Sequence, residues 1–109
     1  MRRKSGMNVP IERITTHPGA LLLEQIHEME LTVNGLARDI DLPATRLHEI
    51  VQNKHGVTAE TAIALGEYFD QTPEFWMNAQ KAYELSRELV LNGKEIRSRV
   101  RRHARDWVE

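Results

Sequence analysis

Thr32-Val33-Asn34-Gly35-Leu36-Ala37-Arg38-Asp39-Ile40-Asp41-Leu42-Pro43-Ala44-Thr45-Arg46-Leu47-His48-Glu49-Ile50-Val51-Gln52-Asn53-Lys54 is the stretch that decides the fold. Thr32 offers a side-chain oxygen to the free N–H groups of a helix start. Behind it Leu36, Ala37 and Ile40 fall on one face of a short helix over 33–40. Asp41-Leu42-Pro43 interrupts that helix, because aspartate tolerates the left-handed backbone of a tight turn and the residue before a proline is biased away from helix. A further helix runs from Pro43 or Ala44 to Val51, and Asn53 suits the left-handed stop. Two short helices joined by so tight a turn cross steeply, with Ala37 as the small residue that lets them approach: a helix-turn-helix.

On the second of these helices Leu47, Ile50 and Val51 face inward, which leaves Ala44, Thr45, His48, Glu49 and Gln52 pointing outward. A recognition helix lays such a face against base edges in the major groove. Thr45 can touch a base or a thymine methyl, Ala44 can pack on that methyl, Gln52 can pair with adenine, and Glu49 can accept from a cytosine amino group. Arg46 can reach guanine or a phosphate. Asn34, Arg38, Lys54 and His55 lie around the rim, where polar and basic residues hold the DNA backbone and set register. The opposing reading is a plain three-helix packing that never meets DNA, and Glu49 on the groove face would oppose phosphates.

Outward from this centre the chain reads as helix throughout. His17-Pro18-Gly19 opens a helix over about 18–29, with proline at the first helical position and Leu22, Leu23, Ile26 and Met29 at helical spacing. Residues 1–17 form an N-terminal arm. Thr58 caps a fourth helix whose buried stripe is Ala62, Leu65, Gly66 and Phe69. Thr72-Pro73-Glu74 opens a fifth, with a cap, a proline and an acid facing the positive helix end. That helix carries Phe75, Trp76, Ala79, Tyr83 and Leu89, with Phe75, Trp76 and Tyr83 read as a core stripe rather than a ligand pocket, and Asn92-Gly93 is read as its end. No strand-like alternation appears, so the expectation is an all-α unit over 18–92, followed by a basic tail or extra C-terminal helix over 93–109.

Composition narrows the function. The chain has 109 residues, a net charge of -1 and no cysteine, which excludes a disulfide framework, a thiolate zinc site and a cysteine nucleophile. The small net charge conceals a segregation: three positive charges in residues 1–4, six positive and three negative in 94–109, and six positive against thirteen negative between. An acidic middle serves solubility or docks a basic partner. No apolar run follows the basic start before Glu12 and Arg13, and none approaches a membrane span, so a cytoplasmic protein without a membrane partner is expected. His48 with His55, and Glu24 with His27, do not make a metal site. No motif pairs an acid with a nucleophile or cradles a phosphate, so the reading is of no enzyme, cofactor or small-molecule substrate.

His17-Pro18-Gly19, Leu36-Ala37-Arg38, Pro43-Ala44-Thr45-Arg46, Glu49-Ile50-Val51, Thr58-Ala59-Glu60-Thr61-Ala62 and Thr72-Pro73-Glu74-Phe75-Trp76-Met77-Asn78, in that order, resemble the HigA family of addiction-module antitoxins over about residues 14–90. The resemblance implies a dimeric, five-helix, lambda-repressor-like domain that neutralises a HigB-like, mRNA-cleaving toxin and represses its own operon at a palindromic operator. The alternative is a stand-alone repressor without a toxin, and a further one is an interaction module that has lost DNA binding. Three residues depart from the family pattern. Asp41 and Asn53 stand where glycine is usual, and both tolerate the left-handed conformation. His55 replaces a usual arginine and weakens the phosphate contact expected there. A homodimer also follows from geometry, because one short recognition helix reads few base pairs. Outside the resemblance, Ile96, Val100, His103 and Trp107 recur at roughly heptad spacing among arginines. This tail serves either as a basic arm on DNA or as a helix packed on a partner subunit. Met1 and Met7 both suit the start, and the basic run belongs only to the longer form.

Overall fold

The computed structural model describes residues 13–103. It contains α1 (Pro18–Glu28), α2 (Val33–Ile40), α3 (Ala44–Val51), α4 (Ala59–Phe69) and α5 (Pro73–Arg99), with no strand among the described residues. No helix there is long and apolar enough to cross a membrane. The all-α, five-helix expectation holds.

Local chemistry explains the boundaries. Thr32, Thr58 and Thr72 each accept a backbone N–H of the first turn, from Gly35, Thr61 and Phe75 at 2.9, 3.3 and 3.3 Å. The helix ends share a second device. Glu30, Asp41, Asn53 and Asp70 all take left-handed backbone, with φ between 56° and 63°, and no described glycine does. Each turns the chain so that a following N–H closes on the helix just left, as Leu42 does on the Ala37 carbonyl at 3.1 Å and Lys54 on that of Glu49 at 2.8 Å.

The core is Leu22 and Ile26 of α1, Leu36 and Ala37 of α2, Leu47 and Ile50 of α3, Val57, Ala62 and Leu65 in and before α4, and Trp76 of α5. Trp76 is fully buried, and its indole N–H reaches Gln71 Oε1 at 3.0 Å, so its polar atom is satisfied. α3 sits between α1 and α2, while α4 and α1 lie on α5.

Three expectations are corrected. Residues 13–17 are not a free arm: Thr15 N–H donates to Ser86 Oγ at 2.9 Å, and His17 is only 7% exposed. The remainder of the arm, with Met1, Met7 and the basic start, lies outside the described residues. Phe75 is not core: it is 43% exposed and meets Trp76 edge-on, because neighbouring helical residues point roughly 100° apart and Trp76 takes the inward direction. Helix α5 does not stop at Asn92-Gly93 but runs unbroken to Arg99, so no separate sixth helix exists before that point. Glycine inside a helix costs about 1 kcal/mol, which the strong helix formers beyond it offset, aided by Glu95 pairing with Arg99 at 2.9 Å. Val100 leaves the helix in extended backbone, His103 is non-helical, and Trp107 lies outside the described residues.

His17-Pro18-Gly19 has three separate jobs. His17 Nδ1 accepts the Gly19 N–H at 2.8 Å and caps α1; Pro18 fills a position whose N–H needs no partner; Gly19 brings α1 onto the last turn of α3. A Cβ built on Gly19 would overlap the carbonyl oxygen of Ile50. Gly19→Ala is therefore expected to destabilise the fold by about 2 kcal/mol or more, the overpacking range, read as a lower midpoint in thermal unfolding.

Desolvation by burial lowers the His17 pKa from its ordinary 6.5, and the neutral ring is also the one whose Nδ1 can accept. The unfolded chain takes up the proton near the ordinary value and the folded chain resists it to lower pH. Stability from this cap is thus complete above pH 6.5 and lost as pH falls below it. Denaturant titrations from pH 7.5 to 5 should show that loss, and His17→Asn, which keeps a capping oxygen, should flatten it.

Candidate nucleic-acid interface

The left-handed turn at Asp41 sets α3 across α2, and the stop at Asn53 frees its last turn. Leu47 and Ile50 plug α3 into the core, with Val51 half-buried. Thr45, His48, Glu49 and Gln52 are left exposed along the opposite side. Pro43, at the head of α3, makes no side-chain cap, in contrast to the three threonine-capped helices.

Two residues of the expected reading face lie elsewhere. Ala44 is half-buried against the core, since the steep crossing tucks the first turn of α3 under its neighbours. Arg46 turns sideways to α4, where its guanidinium meets Glu60 at 2.8 Å, the two side chains being 33% and 68% exposed. Glu60 was invisible to sequence reasoning as a partner because the pair spans fourteen positions across two helices; no short-range spacing rule reaches it.

Of the rim, Asn34 is joined to the reading face: His48 Nε2 donates to Asn34 Oδ1 at 3.0 Å. Arg38 is exposed further along α2. Lys54 and His55 lie past the far end of α3, where His55 Nδ1 donates to the Gly56 carbonyl at 3.0 Å. There they border a polar groove of about 360 Å³ that also includes Asn53, Glu84, Arg87 and Glu88. Gln80 anchors this end. It is buried, and its Oε1 accepts the Val57 N–H at 2.8 Å while its Nε2 donates to Glu84 at 3.0 Å. The sequence signal for this anchor is Gln80 set at helical spacing between Trp76 and Tyr83. Among the described residues no three metal-ligating side chains converge.

No family model matches the chain. Virulence-associated protein I of Dichelobacter nodosus is 36% identical over 83 residues, covering 72% of this chain and 77% of that protein. An addiction module antidote protein of the HigA family from Coxiella burnetii superposes with a TM-score of 0.79 at 34% identity, over 84% of this chain and 100% of that one. The chain belongs to the HigA family. Another member, the antitoxin HigA of Pseudomonas aeruginosa, was solved with the higBA promoter; it gives a TM-score of 0.77 at 34% identity over 82% of this chain and 98% of its own.

In this HigA-family chain the Arg46–Glu60 pair is a surface contact, so its contribution to stability is small. A double-mutant cycle on Arg46→Ala and Glu60→Ala should give a coupling below about 1 kcal/mol. A much larger value would mean that α3 owes its placement to the pair rather than to Leu47 and Ile50.

Proposed function

We propose that this protein is an autorepressing antitoxin: a cytoplasmic homodimer that binds double-stranded operator DNA through α3 and neutralises a HigB-like, mRNA-cleaving toxin. The observation that carries the reading is the α3 surface, where Thr45, His48, Glu49 and Gln52 form an exposed polar edge on a helix pinned by Leu47 and Ile50. The solved relative from Pseudomonas aeruginosa, which carries its promoter, supports it.

In this reading residues 18–92 hold the DNA-binding unit, and 93–109 extend from it. Thr45 and Gln52 read bases, Glu49 accepts from a cytosine amino group, and His48 is steadied by Asn34. Arg46 reaches DNA only by leaving Glu60, and Ala44 offers little beyond a methyl contact. Lys54, His55, Arg38 and the free edge of Asn34 hold phosphates. The uncapped start of α3 leaves its first N–H groups for an acceptor outside the chain.

The test is to express the chain with its flanking open reading frame, purify it by a tag, and titrate it against the DNA upstream of the pair. A co-purifying small basic protein and a retarded upstream fragment are expected. Gln52→Ala should weaken operator binding by about 1–3 kcal/mol and relax preference at one base pair. Lys54→Ala should weaken all sequences alike and reduce the salt slope by about one. Retardation without a partner would leave a stand-alone repressor; no retardation even at low salt would overturn the DNA reading.

A further inference from the structure

The first turns of α3 and α4 are joined by a charge pair, and one of its two members stands against the preference of its own helix. The free N–H groups at a helix start make it positive, so acids are favoured there and cations at the other end. Glu60, in the first turn of α4, follows this preference. Arg46, in the first turn of α3, does not, and α3 has neither an acid in that turn nor a side-chain cap at Pro43. The guanidinium rests on Glu60 Oε1 at 2.8 Å, in a pair exposed enough to add little to stability. A cation that its helix disfavours, held by a pair that the fold does not need, suits an anion from outside the chain.

We propose that Glu60 sets the selectivity of DNA binding: its carboxylate withholds Arg46 from the phosphates of unrelated DNA and yields it at the operator. The inference rests on the DNA-binding reading above and adds a residue that touches no DNA and acts through Arg46. Binding without sequence preference is made of contacts between cations and phosphates. On unrelated DNA no base contact fixes α3, no phosphate is held over its first turn, and Arg46 keeps the acceptor it already has. At the operator the bases met by Thr45 and Gln52 seat α3 in the groove, and a flanking phosphate arrives at a set place. There the guanidinium and the uncapped, positive start of α3 attract it together, against the single attraction of Glu60. Arg46 therefore counts as a phosphate contact on the right sequence and not on the wrong one.

Fluorescence anisotropy of the full chain is followed on two labelled duplexes of equal length, the DNA upstream of its reading frame and a scrambled version of it, between 50 and 200 mM salt. Each phosphate contact adds about 0.9 to the slope of log affinity against log salt, or about 3.5-fold in affinity across that range. Wild type should be steeper on the upstream duplex by at least one such contact. Glu60→Gln, which keeps the shape and removes the charge, should steepen the scrambled duplex by about 0.9 and leave the upstream slope as it was. Arg46→Gln should flatten the upstream slope alone, and Glu60→Gln added to it should restore nothing. Glu60→Gln that steepens neither duplex, or both alike, would overturn the selectivity. Tightening that survives in the Arg46→Gln background would make Glu60 a plain acid near DNA and overturn it as well. A wild type that binds neither duplex at 50 mM salt would sink the DNA reading, and this inference with it.

Discussion

The placement of α3 rests on one close approach, that of Gly19 to the Ile50 carbonyl. A helix of eight residues is too short to hold itself in water, so its direction is whatever its neighbours impose. α1 presses against its last turn where no side chain intervenes, and α2 crosses its first turn through Ala37 and the left-handed Asp41. The exposed edge of Thr45, His48, Glu49 and Gln52 inherits a fixed orientation from these two constraints, which is what an edge meant to match a rigid groove requires.

Helix α5 then binds the remaining pieces to one another. Thr15 meets it at Ser86, His17 lies edge-on to Tyr83 with ring centroids 4.7 Å apart, and the loop after α3 is held by Gln80 through Val57. The two ends of the α1–α3 contact are thereby registered on one rod.

What could be read from the sequence divides along a physical line. Caps and stops are local chemistry, and Thr32, Thr58, Thr72, Asp41 and Asn53 were legible because each acts within a few residues of itself. The core was legible wherever helical spacing is unambiguous, as at Leu22, Leu36, Leu47 and Leu65. It failed at Phe75 beside Trp76, where hydrophobicity alone cannot say which of two neighbours turns inward. Arg46 and Ala44 were misplaced because their surroundings come from other helices, and no spacing rule carries across a tertiary contact. Asn92-Gly93 looks like a helix end on its own, but a long run of helix formers on both sides outweighs one weak step.

The left-handed stops show where the folded chain stores strain. Four helices end on Glu30, Asp41, Asn53 and Asp70, residues that bear a Cβ in a conformation glycine adopts without strain. Each holds the folded chain at somewhat higher free energy, up to about 1–2 kcal/mol for a residue such as glutamate, and two of them sit at the ends of α2 and α3. Glycine at these stops would relax that strain while leaving the exposed edge of α3 intact.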